Sequence, residues 1–178
     1  MSHAAIRTLI QSRYVAVHDA RPAVEFPAYL TVGAPDMPQA VLGYRPAGAD
    51  ALFVERYVDG PIERLLSERL GRPVPRSRIV EIGAHASHRA TATLALWREA
   101  AAALDGQADV AVAVLTRGLR SMFARLDLPI LILAPAPMAA MGAAADRWGR
   151  YYDSDPMLCA GDIAQSHIRL ARAMTRQA

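Results

Sequence analysis

The sequence predicts an α/β fold: a single three-layer domain in which a mixed sheet of about six or seven strands has helices on both faces. Short strand-like segments joined by turns come early, strands alternate with amphipathic helices later, and no repeat or linker divides the chain. The 178 residues, 53% of them hydrophobic, can bury a core without a disulfide. We therefore expect residues 1–178 to form one domain.

The first half of the chain predicts a helix, three strands and a second helix. Apolar residues recur at helical spacing over Ala4–His18. Phe26–Gly33 and Ala40–Arg45 have strand composition and are joined by a short polar turn, which is typical of an antiparallel hairpin. Apolar and polar residues alternate over Leu52–Val58 and predict a third strand. A proline then marks the start of a helix that ends before Gly71.

The second half alternates strands with helices. The predicted strands are Ile79–Gly83, Asp109–Thr116, Ile130–Ala134 and a late strand at Arg150–Tyr152, and the predicted helices are Ala90–Leu104, Arg117–Leu126 and Asp162–Thr175. The segment Asp109–Thr116 is almost continuously apolar, as expected for a strand buried on both faces. Leu128–Ala145 has no charge, but its three prolines favour a buried strand, a loop and a short helix over a membrane span.

Composition and charge exclude several function classes. The net charge is +3 and all 20 basic residues are arginine, so neither a Schiff-base lysine nor a P-loop lysine is available. The single cysteine, Cys159, lies among apolar residues and is expected to be a small buried side chain. The N-terminus lacks the uninterrupted apolar core of a signal peptide, which predicts a cytoplasmic protein.

The same features argue against several partners. The arginines are scattered and form no nucleic-acid-binding motif, so we expect no nucleic-acid partner. His85 and His88 lie near Glu81 but lack the spacing of a zinc site, and we expect no metal. The last helix is basic and amphipathic, which leaves contact with a membrane surface as a weaker alternative to an ordinary surface helix.

Several separate blocks, in the same order, resemble the thermostable hemolysin family. The blocks are LFVERYVDGPIERLLSERLGRPVPRSRIVEIG, TRGLRSMFARLDLPI, WGRYYDSDP and AGDI. The resemblance spans roughly Tyr14 to Ile163 and implies an acetyltransferase-like fold, related to the acyl-homoserine lactone synthases. The chain departs from the family pattern at Ala84 and His85, where the family has Asn and Leu, and in Ala134–Met141, which lacks the family's acidic residue. These departures raise the alternative of altered activity.

Glu81 is a carboxylate inside an apolar strand. Burial without a partner is costly for such a group and raises its pKa toward that of a general base. In acetyltransferase-like folds a base often lies on this strand, so the resemblance implies that Glu81 is catalytic. A structural ion pair with an arginine is the alternative. His85, close behind it, is a second candidate acid or base.

The segment Gly83–Thr93 joins this strand to the next helix. Small residues before a helix N-terminus leave backbone N–H groups free for an anion such as a pyrophosphate. The resemblance implies that the phosphate or pantetheine end of a donor binds here, and the candidate residues are Gly83, Ala84, Ser87, His88 and Arg89. The glycines of the acetyltransferase loop are missing, so an ordinary capped loop remains the alternative.

Polar and aromatic residues elsewhere are candidates for the acceptor side. They are Glu55, Tyr57, Arg117, Trp148 and Tyr151 for substrate binding, and Tyr152 as a proton donor to a leaving thiolate. The alternatives are a solvated sheet face for Glu55 and Tyr57, a solvated helix face for Arg117, and core packing for the aromatic segment.

Together these expectations favour an acyltransferase-like protein that moves an acyl group from coenzyme A or an acyl carrier protein to a small acceptor. No tightly bound cofactor is expected, the thioester being a cosubstrate, and an acyl carrier protein is a candidate partner. Two alternatives stay open: a membrane-active hemolysin, as the family name says, and a binding domain of the same fold that has lost catalysis.

Overall fold

The computed structural model describes residues 3–48 and 50–175 and contains one six-stranded mixed sheet. The strands are β1 (Ala28–Ala34), β2 (Met37–Pro46), β3 (Ile79–Ser87), β4 (Val110–Leu115), β5 (Ile130–Pro135) and β6 (Met157–Asp162). Their order across the sheet is β1-β2-β3-β4-β6-β5. Strands β3 and β4 run parallel, and the other neighbouring pairs of this sheet are antiparallel. The predicted mixed sheet is confirmed.

Helices cover both faces of the sheet. They are α1 (His3–His18), α2 (Ile62–Leu70), α3 (Ala90–Leu104), α4 (Arg117–Arg125) and α5 (Ile163–Thr175). On one face, α3, α4 and α5 bury apolar side chains such as Leu96, Phe123 and Leu170. On the other face, α2 packs through Ile62 and Leu66 onto the centre of the sheet, and α1 packs onto β2 and β3. The three-layer α/β domain is therefore confirmed.

Two predicted strands are wrong. The segment predicted as Leu52–Val58 forms a 3₁₀ helix at Phe53–Tyr57, because Glu55 folds back and its carboxylate accepts the backbone N–H of Leu52 at 2.7 Å. The segment predicted as Arg150–Tyr152 also leads into a 3₁₀ helix, at Tyr151–Ser154. Alternation and aromatic content favour a strand locally, but the aromatic rings here pack together in a satellite core instead.

The sixth strand of the sheet was not predicted. Strand β6 lies between β4 and β5 and pairs with both, so all its backbone groups can be satisfied within the sheet. It begins directly after Pro156 and ends at Asp162, where α5 follows without a loop. Its short sequence, which includes Gly161 and two small residues, carries little strand signal.

Strands β3 and β4 separate halfway along their length. They pair from Ile79 with Val110 to Ile82 with Ala113 and no further. Beyond that point β3 has a bulge: Leu42 of β2 stands opposite two residues, Ala84 and His85, and Ala84 adopts a left-handed conformation with φ 48°. The bulge turns β3 away from β4 and opens a cleft between the two parallel strands.

The charge-free segment after α4 forms β5 and then a 3₁₀ helix at Met138–Trp148, in agreement with the expected strand, loop and short helix. Within residues 3–48 and 50–175, no helix has the length and apolar character needed to cross a membrane.

Candidate functional site

The cleft between β3 and β4 holds a cavity of about 470 Å³. Its walls come from both strands, from the C-terminal half of α1, from the first 3₁₀ helix and from the aromatic segment near Trp148. The first residues of α3 and α4 also line it. Because β3 and β4 are parallel, both helices start at the same end of the strands, which is where ligands bind in open α/β sheets.

Two helix N-termini therefore face the mouth of the cleft. Helix α3 has Arg89 at its cap position without a side-chain cap, and its first intrahelical bond runs from Thr93 N–H to the Arg89 carbonyl at 3.1 Å. Helix α4 is capped by Thr116, whose Oγ1 accepts the Leu119 N–H at 3.4 Å. Backbone N–H groups in the first turn of each helix and the positive ends of both helix dipoles favour a negatively charged group here.

Glu81 lies on the cleft wall and is only 1% exposed. Its Oε1 accepts the backbone N–H of Val54 at 2.8 Å, and its Oε2 accepts that of Phe53 at 3.2 Å. Arg45 Nη1 lies 3.9 Å from Oε2. Burial raises the pKa of Glu81, while the two backbone donors and Arg45 oppose that rise. The carboxylate thus anchors the 3₁₀ helix to the sheet and also faces the cleft.

His85 follows the bulge of β3 and stacks near Trp97 of α3. The ring centroids are 5.9 Å apart and the planes are inclined by 32°. Burial lowers the pKa of His85 to about 4, so the imidazole is neutral at neutral pH. Nε2 of His85 and Nε1 of Trp97 are buried without a hydrogen-bond partner.

Aromatic side chains form the opposite wall of the cleft. The Tyr57 and Tyr152 hydroxyls are hydrogen-bonded at 2.8 Å, and Tyr151 stacks on Tyr14 with centroids 6.2 Å apart. Burial raises the pKa of Tyr14 to about 12. Burial and the hydrogen bond with Tyr152 also raise the pKa of Tyr57. These phenols stay protonated at neutral pH and act as neutral hydrogen-bonding groups.

The structure brings most of the predicted site residues to the cleft. Those that line it are Tyr57, Glu81, Gly83, Ala84, His85, Ser87, His88, Arg89, Trp148 and Tyr151. Tyr152 does not line the cleft itself, but its hydroxyl is hydrogen-bonded to that of Tyr57, which does. Ser87 shapes the turn before α3, since its Oγ donates to the Arg89 carbonyl at 2.9 Å.

Two predicted substrate-binding residues lie outside the cleft lining. The Glu55 carboxylate is occupied by the Arg76 guanidinium at 2.6 Å and by the backbone N–H groups of Leu52 and Ile62. Arg117 points outward, with 72% of its side chain exposed, and lies 3.5 Å from Asp155. Glu55 was expected on a strand face, but in the 3₁₀ helix it turns toward Arg76 instead.

Several cleft residues escaped the sequence analysis. Arg13, Tyr14 and His18 of α1 line the cavity, although their segment has only the pattern of an amphipathic helix. Trp97 of α3 packs against the core and also borders the cleft, which its place on the apolar face of the helix does not reveal. Within the residues that the structure describes, no cluster of three or more His, Cys, Asp or Glu side chains could hold a metal ion.

The family model described as thermostable hemolysin matches residues 1–167. The chain belongs to the thermostable hemolysin family. A search of the curated proteins gives no match.

This thermostable hemolysin family member is similar in structure to three acyl-transferring synthases. The CoA-dependent acyl-homoserine lactone synthase BjaI, solved with MTA, has a TM-score of 0.62 and 15% identity, and the match covers 97% of this chain and 83% of BjaI. The acyl-homoserine lactone synthase LasI has a TM-score of 0.61 and 13% identity, with 96% of this chain and 89% of LasI covered. FeeM, an N-acyl amino acid synthase from uncultured soil microbes, has a TM-score of 0.60 and 12% identity, with 93% of each chain covered. At these identities the likeness shows the fold, which agrees with the expected acyl-homoserine-lactone-synthase-like architecture.

Proposed function

We propose that this protein transfers an acyl group from a coenzyme A or acyl-carrier thioester to a small acceptor. The observation that carries the proposal is the cleft itself. Two parallel strands part at a left-handed bulge, two helix N-termini face one end, and aromatic side chains with a buried carboxylate line the other. Two neighbours of the same fold support it: BjaI is a CoA-dependent acyl-homoserine lactone synthase, solved with SAM and isopentyl-CoA, and FeeM is an N-acyl amino acid synthase.

The donor would lie between β3 and β4 with its phosphate end at the start of α3. The free N–H groups of the first turn of α3, together with His88 and the Arg89 side chain, suit a phosphate, and Ser87 holds the turn before the helix. Coenzyme A and an acyl carrier protein both present a phosphopantetheine arm, so the proposal covers both donors.

The bulge would hold the thioester carbonyl. A bulge leaves one residue outside the regular ladder, so we expect a backbone N–H at Ala84 or His85 to be available to the cleft. A backbone N–H fixed at that position would stabilise, by a hydrogen bond, the oxyanion that forms when the acceptor attacks the thioester carbonyl carbon. The left-handed Ala84 keeps the backbone in this shape.

Glu81 would accept the proton that the attacking amine or alcohol loses. Its raised pKa brings it closer to the range in which a carboxylate is an effective base. As the new bond forms, the C–S bond breaks and the thiolate leaves. The neutral hydroxyl pair Tyr57–Tyr152 would donate a hydrogen bond to the departing sulfur or to the acceptor.

The test is turnover with purified protein. Hexanoyl and decanoyl thioesters, on coenzyme A and on a carrier protein, would be incubated with amino acids, amines and S-adenosylmethionine. Thiol release and acyl product are measured by absorbance and mass spectrometry. We expect Glu81→Gln to lower kcat by at least about a hundredfold. Glu68→Gln is the matched control, because Glu68 is 66% exposed and outside the cleft.

Two results contradict this proposal. Tight thioester binding with no turnover for any acceptor favours a binding domain that has lost catalysis. No thioester binding, with dye release from liposomes by the folded protein, favours the lytic activity that the family name suggests.

A further inference from the structure

Three buried side-chain nitrogens have no hydrogen-bond partner among the described residues, and all three belong to residues that line the cleft. They are Nε of Arg13, Nε2 of His85 and Nε1 of Trp97. A buried polar group without a partner is costly, and native structures contain few of them. Three around one cavity indicate that their partners come from outside the protein chain, from solvent or from a bound molecule.

His85 and Trp97 form a neutral pair. The imidazole carries no charge at neutral pH because burial lowers its pKa to about 4, and the indole has no charge at any pH. Such a pair has no electrostatic preference for a phosphate or carboxylate. A hydroxyl fits it in either imidazole tautomer, since a hydroxyl can accept from Trp97 N–H and can either donate to or accept from Nε2 of His85.

A second cavity begins beside Trp97. It has a volume of about 70 Å³, and four of its lining residues, Ile82, Trp97, Ala113 and Leu115, also line the cleft. Ser166 is the one lining residue of this cavity with a polar side chain that is neither aromatic nor a thiol. The rest of the wall is Ala, Gly, Leu, Ile, Phe and Cys from the sheet, α3 and α5, with Trp97 at the entrance.

Trp97 therefore lies at the junction of a polar cleft and an apolar chamber, and His85 adjoins it on the cleft side. An acyl chain whose thioester lies at the β3 bulge, and whose tail enters the chamber, would run past Trp97 and the adjoining ring of His85. A hydroxyl on one of its first carbons would offer this pair a polar partner, while an unsubstituted chain would leave both nitrogens unpaired.

We propose, on the basis of the acyl-transfer function above, that this protein selects hydroxyacyl thioesters, and that His85 and Trp97 hold a hydroxyl on one of the first carbons after the thioester carbonyl. His85 and Trp97 are in this view specificity residues of the donor site. Arg13 lies on the α1 side of the cleft and is not part of this pair.

The test compares the Kd values of decanoyl-, 2-hydroxydecanoyl- and 3-hydroxydecanoyl-coenzyme A, measured by calorimetry without an acceptor. We expect one hydroxyacyl thioester to bind about tenfold more tightly than the unsubstituted one, since pairing a buried donor is worth that much. Trp97→Phe keeps an aromatic ring against Phe123, which lies 5.0 Å away edge to face, but removes the N–H. It should reduce the preference to less than about twofold.

Controls separate the hydrogen bond from packing. Phe123→Leu disturbs the other side of Trp97 without touching its N–H, and should keep the preference. His85→Leu is the second, independent variant, and should lose the preference even if Trp97→Phe fails to fold. Equal Kd values for all three thioesters in the wild-type protein overturn this inference and leave the acyl-transfer proposal standing. Binding of none of them, on coenzyme A or on an acyl carrier protein, overturns both.

Discussion

The backbone N–H of Val54 donates to Oε1 of Glu81 over 2.8 Å, although the two residues are 27 positions apart in the chain. This bond ties the first 3₁₀ helix to the centre of the sheet and fixes the orientation of the one buried carboxylate in the described cleft lining. The sequence left open whether Glu81 is a structural or a functional group. The hydrogen bonds of Glu81 to the 3₁₀ helix are structural contacts, whether or not its carboxylate also takes part in catalysis.

Removing this carboxylate should cost stability apart from any loss of activity. Glu81→Ala leaves the N–H groups of Val54 and Phe53 buried without an acceptor, and we expect the free energy of unfolding to fall by about 3 kcal/mol. Urea denaturation of the variant and of the wild-type protein measures this difference in the free energy of unfolding. The exposed control Glu68→Gln should change it by less than about 0.5 kcal/mol. An equally small change in Glu81→Ala would show that the 3₁₀ helix does not depend on this contact.

The Glu55–Arg76 ion pair should give a pH-dependent contribution to stability. Burial disfavours ionisation of Glu55, but the bonds from Arg76 and from the Ile62 and Leu52 N–H groups outweigh it and lower the pKa. A carboxyl with a lowered pKa stabilises the fold above its unfolded pKa and loses that contribution as pH falls through the folded value.

We therefore expect Glu55→Gln to cost about 2 kcal/mol at neutral pH, which is typical of charged hydrogen bonds. The difference from the wild-type protein should shrink progressively below about pH 4. Denaturation curves across this pH range test it, and a difference that stays constant down to strong acid would contradict the assignment. Glu99→Gln is a useful comparison because its side chain is 52% exposed and bonded to its sequence neighbour Arg98.

The bulge should be sensitive to the side chain at position 84. Ala84 has φ 48°, a conformation that costs an L-residue about 1–2 kcal/mol relative to glycine. Ala84→Gly should raise the free energy of unfolding by up to about 1 kcal/mol, whereas Ala84→Val should lower it by about 1–2 kcal/mol, because β-branched residues tolerate this region poorly. Thermal unfolding of both variants measures the effect, and the opposite order would contradict the left-handed bulge.

The ring of Phe26 lies over the cross-strand pair Gly43–Gly83. A methyl group at position 83 would lie 2.6 Å from Cζ of Phe26, so the ring must move. We expect Gly83→Ala to destabilise the fold by about 1–3 kcal/mol, and to cost less in a Phe26→Ala background. A double-mutant cycle measures the coupling. Additive effects of the two substitutions would show that the ring does not restrict position 83.

The hydrogen bond between the Tyr57 and Tyr152 hydroxyls should make the effects of substitutions at the two positions on stability non-additive. Tyr57→Phe and Tyr152→Phe each remove one partner of the 2.8 Å contact and should cost about 1 kcal/mol. The double variant should cost clearly less than the sum, since neither hydroxyl is then left behind. Tyr29→Phe tests a hydroxyl elsewhere, which accepts the Phe26 N–H at 3.0 Å, and should be additive with both.

The sequence by itself determined much of the architecture. The five helices and five of the six strands lie where local periodicity places them, because an amphipathic stripe or an alternating strand pattern is written in consecutive residues. Glu81 also stood out from sequence alone, since a carboxylate in an apolar strand requires an explanation. The helix after Pro61 ends with Gly71 in a left-handed conformation, as the turn chemistry predicts.

Only the tertiary structure decided how these elements meet. Strand β6 joins the sheet between β4 and β5 through pairing with distant residues, which no local pattern encodes. Glu55 was predicted to line a substrate pocket, but it forms an ion pair with Arg76, because its segment is a 3₁₀ helix and not the expected strand. The cleft needs α1, β3, β4 and the aromatic segment together, so residues such as His18 and Trp97 acquire their place only when the chain closes around it. Local patterns depend on neighbours in sequence, whereas a cavity depends on groups that long-range packing brings together.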